Sequence, residues 1–219
     1  MAVFTISFKS YSQDSIRTLV HLPKITHVGI YIAPEFQYGQ LKGEFTSFGG
    51  GSAMLLFNKK FGFGVTMQHS IFLSYSPKGI SPLDLMASYG GLKLEYTCNP
   101  NAPIHLSFPL VIGGGSARLD SATYFRSILP DTNTQGDRMH REFDQSVSRN
   151  NYFVVQPGVQ VEGNLFRFLK LYAGANYRFA FETYSSNSKL LPASTLQGLS
   201  LNVGLKVGFF DYTLKKKNK

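Results

Sequence analysis

The chain contains no tryptophan and one cysteine, Cys98, among its 219 residues. A single thiol closes no internal disulfide, and it has no ligand partner at metal-binding spacing. The five histidines, His21, His27, His69, His105 and His140, are scattered in the same way. Neither a metal nor another cofactor is therefore expected. Charge is scarce as well, with Asp, Glu, Lys and Arg making up 16% of the chain. No apolar run approaches the ~18 residues that a membrane helix needs. That excludes a helical span but not a membrane barrel, whose strands alternate and never produce such a run. The glycine runs Gly49–Gly51 and Gly113–Gly115 are followed by no Lys-Ser/Thr and no helix signal, so they are not phosphate loops. They suit the strong curvature of a small barrel instead.

The acidic residues are outnumbered, 13 against 22 Lys and Arg, for a net charge of +9. The excess is not gathered on one helix or stripe, and Lys215, Lys216, Lys217 and Lys219 simply form the tail. Nucleic acid is therefore not an expected partner. At the other end, Met1 to Phe8 is short and apolar, and Ser10-Tyr11-Ser12 resembles the small residues of a cleavage site. Residues 1–24 are read as a remnant export signal or an N-terminal arm, 25–214 as one domain, and 215–219 as a basic tail.

What is abundant is Gly (21), Phe (19) and Tyr (12). These suit strands, turns and interfacial belts better than helices. From about residue 25 apolar and polar residues alternate with period two, which predicts eight strands. They span 26–38, 46–57, 61–73, 86–97, 104–119, 152–163, 169–182 and 199–212. In the seventh, Leu171, Ala173, Ala175, Tyr177, Phe179 and Phe181 oppose Lys170, Tyr172, Gly174, Asn176, Arg178 and Glu182. Asn58-Lys59-Lys60 and Asn99 to Pro103 read as tight turns.

Alternation alone fits a soluble barrel equally well, with its faces exchanged. Three further features favour a membrane barrel. Connections after strands two, four and six are short and those after three, five and seven long, with the first, 39–45, intermediate; outer-membrane barrels pair short periplasmic turns with long outer loops. The strands match the length of a tilted crossing. The polar face mixes Gly and Ala with isolated charges, Glu35, Lys93, Glu95, Glu162, Lys170, Arg178 and Lys206. In a narrow interior such charges must pair, because an unpaired buried charge is costly. Pro34, Pro109 and Pro157 fall inside strands, where each removes a ladder donor, and they count against the assignment unless they sit at bulges or strand ends. The expected fold class is all-β, an eight-stranded antiparallel transmembrane β-barrel with both termini in the periplasm of a bacterial outer membrane.

The stretches Tyr89-Gly90-Gly91-Leu92-Lys93-Leu94-Glu95-Tyr96, Pro103 to Gly115 and Phe153-Val154-Val155-Gln156-Pro157-Gly158-Val159 resemble the small outer-membrane β-barrels common in Bacteroidetes. In size the chain is similar to the outer membrane protein A and X barrels. The resemblance implies a fold and a location but no catalytic residues. The last strand also resembles an assembly signal, through Leu205, Val207 and Phe209.

On function the residues are less explicit. His105 and Ser107 have the spacing a lipid deacylase would use on one strand face, but the topology puts them in the lumen near the periplasmic end, and two polar interior side chains are the expected reading. No catalytic residue and no metal ligand is assigned. The break at 120–151 holds Tyr124, Phe125, Arg126, Arg138, His140, Arg141 and Phe143, a candidate partner-binding loop beside the plainer reading of a shielding loop. The expected role is structural or in interaction, with an accessory place in a larger outer-membrane complex as one form of it. Expected partners are outer-membrane lipid and lipopolysaccharide and other outer-membrane proteins. A narrow solute channel, a lipid A-modifying enzyme and a soluble ligand-binding barrel are the alternatives.

Overall fold

The computed structural model describes residues 24–41, 44–72, 74–75, 83–121, 148–183 and 192–214. Among them are eight long strands: β1 His27–Leu41, β2 Glu44–Phe57, β3 Phe61–Phe72, β4 Leu83–Thr97, β5 Ile104–Ser121, β6 Ser148–Phe166, β7 Leu169–Glu182 and β8 Gly198–Thr213. Each pairs antiparallel with its sequence neighbours, and β1 pairs with β8. Among the described residues the eight long strands thus close into a ring in which each is paired on both sides. Ser74–Tyr75 prolongs the β3 side of the ladder by pairing with β4, and a 3₁₀ turn, Ala193–Leu196, precedes β8.

Local chemistry sets the turns at one end. Asn58 and Lys59 both have positive φ, 50° and 62°, the signature of a type I′ hairpin, and Lys60 donates its N–H to the Phe57 carbonyl at 3.0 Å. Asn58 Oδ1 also accepts from the Thr26 N–H at 2.8 Å, fixing the entry to β1. The exit of β8 lies beside it, where Leu214 N–H donates to the Thr26 carbonyl at 2.9 Å. Both described ends of the barrel chain therefore meet at the end that carries 58–60, 98–103 and 167–168. The opposite end carries 73–82, 122–147 and 183–197.

Three boundary expectations need correction. The first connection is not 39–45: β1 runs to Leu41 and β2 begins at Glu44. Similarly β4 starts at Leu83, and β6 runs from Ser148 rather than Tyr152. At the long-connection end outward positions turn polar, as at Arg118 and Arg149, so the apolar half of the alternation fades while the ladder continues.

The three prolines sit in ordinary register. Pro34 pairs with Gly51 on the β2 flank, while on the β8 flank the ladder passes from Ile32–Val207 to Glu35–Gly204. Pro109 pairs with Glu95 on one flank, with a gap between Ser107–Gln160 and Leu110–Pro157 on the other. Pro157 in turn leaves a gap between Val155–Phe179 and Gly158–Asn176. Each missing donor opens one flank only, without a register shift. The bulges lie elsewhere, at Val28/Ile30, Ser47/Phe48 and Asn164/Phe166.

Candidate functional site

The outward side chains form an apolar belt. Ile30, Ile32, Phe63, Val65, Leu92, Leu94, Leu106, Phe108, Val159, Val161, Leu201 and Val203 are all exposed, and Ile104 and Phe209 are 71% and 76% exposed. On β5 the belt runs from Ile104 to Ile112, which covers roughly 20 Å for a strand tilted about 40°. Aromatic residues rim it at both ends. Tyr38 stacks on Phe45 with centroids 5.4 Å apart, and Tyr177 meets Phe179 at 4.6 Å, toward the long connections. Phe61 meets Tyr96 at 5.2 Å and Phe166 meets Phe168 at 5.7 Å, toward the short turns. Inward positions carry the reverse composition, with Glu35, Gln37, Gln68, Lys93, Glu95, Gln156, Glu162, Asn202 and Lys206 all buried. The wall is inside out. Such a surface is at home in hydrocarbon flanked by interfaces, where aromatic girdles sit at both headgroup levels.

No family model matches the chain, and no curated protein does. Among the solved structures similar to it is Ail, the attachment invasion locus protein of Yersinia pestis, at 13% identity over 84% of this chain and 99% of that one, with a TM-score of 0.48. Another is Neisserial surface protein A, at 12% identity over 83% and 97%, with a TM-score of 0.49. A third is the N-terminal β-barrel domain of Pseudomonas aeruginosa OprF, at 11% identity over 83% and 97%, with a TM-score of 0.44.

The lumen is layered. Toward the short-turn end lies an ionic cluster around Lys206, whose Nζ is 2.6 Å from Glu95 Oε1 and 2.5 Å from Glu162 Oε1. Glu162 Oε2 is 3.8 Å from Lys170 Nζ and 3.3 Å from His105 Nε2. Tyr31 donates its hydroxyl to Glu95 at 2.9 Å, and its ring faces the Lys206 ammonium at 5.2 Å. Below this cluster Tyr31, Ala33, Met54, Leu56, Tyr172 and Phe210 pack together, and Lys170 Nζ lies over the Phe210 ring at 4.7 Å.

In the middle layer Glu35 is the hub. It accepts from Tyr172 Oη at 2.7 Å, Gln37 Nε2 at 2.5 Å and Gln68 Nε2 at 3.2 Å, and Lys93 Nζ stands 3.5 Å away. Tyr89 Oη continues the chain to Gln37 Oε1 at 2.9 Å. A carboxylate so surrounded keeps its charge compensated in the barrel interior. The space left among Glu35, Gln37, Gln68, Lys93, Gln156, Gln160 and Asn176 is about 10 Å³, at most the size of one water.

The layer toward the long connections is apolar. Leu41, Phe48, Leu85, Ala87, Tyr89, Tyr152, Val154, Ala180 and the 3₁₀ residues Ala193 and Leu196 form one buried cluster. Arg178 pins it: Nε donates to the Leu196 carbonyl at 2.7 Å and Nη2 to the Gln40 carbonyl at 2.9 Å. Its guanidinium lies over the Phe48 and Tyr89 rings at 4.6 and 5.2 Å.

The structure therefore gathers Glu95, Glu162, Lys170 and Lys206 into one network and places Glu35 with Lys93 in a second. Arg178 is where the expectation of Glu–Lys/Arg pairing needs correction. Among the described residues it meets no carboxylate, and backbone carbonyls and aromatic faces take that place. Tyr31, Gln37, Gln68 and Tyr172 also belong to the networks, as does His105, which the topology already places in the lumen. Tyr31 and Gln37 share their strand parity with Glu35, and Tyr172 shares its parity with Lys170, so the pattern points to them, whereas Gln68 and His105 lie on strands that carry no predicted interior charge. His105 Nδ1 lies 3.0 Å from the Ala102 carbonyl oxygen, and Ser107 Oγ donates to Gln160 Oε1 at 3.4 Å. The candidate loop residues Tyr124, Phe125, Arg126, Arg138, His140, Arg141 and Phe143 lie outside the described residues.

Proposed function

We propose that the protein is a bacterial outer-membrane barrel whose role is structural or in interaction, with a lumen plugged by its own side chains. The observation that carries this reading is the middle layer, where the Glu35 and Lys93 network leaves about 10 Å³. A conduction path needs continuous room for hydrated solute, and the apolar cluster around Leu196 and the ionic cluster around Lys206 stand in series with that layer. The periplasmic placement of both termini rests on loop asymmetry, because short turns face the periplasm in such barrels. Kinship with the Bacteroidetes barrels and a place in a larger outer-membrane complex belong to the same proposal, supported by the sequence blocks named above. Partner binding would then fall to the long-connection end, where 122–147 is the longest link. No reaction is assigned to His105 and Ser107: both ring nitrogens of His105 face acceptors, and the Ser107 hydroxyl is engaged by Gln160.

The test is fractionation combined with planar-bilayer recording. The expected result is an outer-membrane protein that migrates faster on gels when unheated and shows no stable conductance after reconstitution. Absence from the outer-membrane fraction would sink the location; a stable open channel would sink the plugged lumen.

A further inference from the structure

At the short-turn end the lumen opens into a recess of about 940 Å³, within the usual range for small-molecule pockets. Its floor is Leu56 of β2, Lys170 of β7 and Phe210 of β8, all buried. Leu56 and Phe210 belong to the packed cluster of Tyr31, Met54 and Tyr172, and the Lys206 network stands with it. A recess that ends on such a plug can hold a ligand but cannot pass one.

The rim is fixed before any ligand arrives. Asn164 Nδ2 donates to the Pro100 and Ala102 carbonyls at 3.2 and 2.8 Å, and its backbone N–H donates to the Pro103 carbonyl at 2.8 Å. These bonds tie the β6–β7 turn to the β4–β5 turn. Lys59 Nζ lies 2.7 Å from Asp211 Oδ2 and donates to Asn101 Oδ1 at 3.5 Å, which ties in the β2–β3 turn and the end of β8. A site so preformed loses little affinity to the ordering of its walls.

The charges around the recess do not balance. Lys59, Arg167 and Lys170 line it against one carboxylate, Asp211, which Lys59 and His27 already hold. Arg167 is exposed and forms no ion pair among the described residues. Lys170 is buried and stands directly opposite Lys206 in the β7–β8 register, an unfavourable like-charge pairing. Lys206 lies within 2.6 Å of both Glu95 and Glu162, and Lys170 is left with Glu162 at 3.8 Å, longer than a hydrogen bond. The Lys170 ammonium therefore keeps donors to offer at the floor of the recess.

We propose that this recess binds a small apolar monocarboxylate, with its carboxylate against Lys170 in the positive field of Arg167 and its hydrocarbon on Leu56 and Phe210. One negative charge is what the lining lacks, and a charge-assisted bond from an ammonium is among the stronger contacts a site can make. The apolar floor favours a hydrocarbon body over an inorganic anion. The chain's own tail, 215–219, is four lysines and one asparagine and is repelled by the same field. The inference goes beyond the role proposed above but rests on its plugged lumen.

The test is equilibrium dialysis of 4-phenylbutyrate against the full chain in phosphatidylcholine nanodiscs, with empty nanodiscs as background. Wild type takes up the acid saturably. Binding to Lys170→Gln, and binding of the neutral probe 4-phenylbutanol to wild type, are each about tenfold weaker, the size of one charge-assisted hydrogen bond. Arg167→Gln binds the acid a few-fold more weakly. Lys60→Gln, which removes an exposed cation of the same end outside the recess, binds as wild type does. Equal affinity for the alcohol, or equal affinity in Lys170→Gln, overturns the site. So does uptake that never saturates above the empty discs. Uptake that begins only once residues 215–219 are removed makes the tail the occupant and overturns it too. Should Lys170→Gln lose the heat-dependent gel shift, Arg167→Gln decides, and an affinity equal to wild type overturns the site. Planar-bilayer recording reads the plug and dialysis reads the recess, so the two fail separately.

Discussion

A buried cation shared by two carboxylates cannot be removed without leaving both uncompensated. Lys206 holds that place between Glu95 and Glu162, and it is almost completely buried. Lys206→Met is expected to destabilise the barrel by roughly 3–5 kcal/mol, read as a lower urea midpoint in vesicles. Adding Glu95→Gln to it should restore most of the loss, because Glu162 still faces Lys170 and the excess carboxylate goes with the cation. A double variant as weak as the single would show that volume, not charge, sets the cost. Glycine makes a second residue-scale case. A Cβ on Gly204 would fall on the Tyr172 ring and hydroxyl, the group that donates to Glu35, whereas at Gly163 it meets nothing within 4 Å. Gly204→Val is expected to cost about 1–3 kcal/mol through overpacking, and Gly163→Ala to be close to neutral, both by the same urea measurement.

At the scale of the strand, the sequence exposed some things and hid others for a definable reason. Period-two alternation reports which face a residue takes, so the eight strands and the inward place of Glu35, Lys93 and Lys206 could be read directly. Pairing across the lumen could not, because closure brings together residues with no sequence relation: Glu95 with Lys206, and Glu35 with Tyr172, which are 111 and 137 positions apart. The partner of Arg178 was hidden for another reason. It is the carbonyl of Leu196, offered by a 3₁₀ turn in a stretch without periodicity. The prolines looked like the weakest part of the assignment because a strand seen alone does not reveal which flank loses the bond. In the barrel each gap is confined to one ladder. Pro34→Ala, Pro109→Ala and Pro157→Ala should each change stability by less than about 1 kcal/mol, since the regained hydrogen bond is offset by the greater freedom of the unfolded chain. Equilibrium unfolding measures this, and a large stabilisation would show that a whole ladder segment had been lost to the ring.

For the whole molecule, the order of the layers decides what any single change can open. Arg178 and the 3₁₀ turn close one end, the Glu35 hub fills the centre, and the Lys206 cluster fills the other end. These barriers lie along one axis, so permeation is limited by whichever remains. Arg178→Ala would release the Leu196 and Gln40 carbonyls and loosen the apolar cap, yet leave the Glu35 layer and its ~10 Å³ of space unchanged. Lys206→Met would do the same from the opposite end. Neither variant is therefore expected to give stable conductance in planar bilayers, although Arg178→Ala should speed hydrogen exchange at the Val154 and Ala180 amides beneath the cap. Steady current through either single variant would mean that the central network yields when an end is loosened, and that the barrel is a gated pore rather than a plugged one.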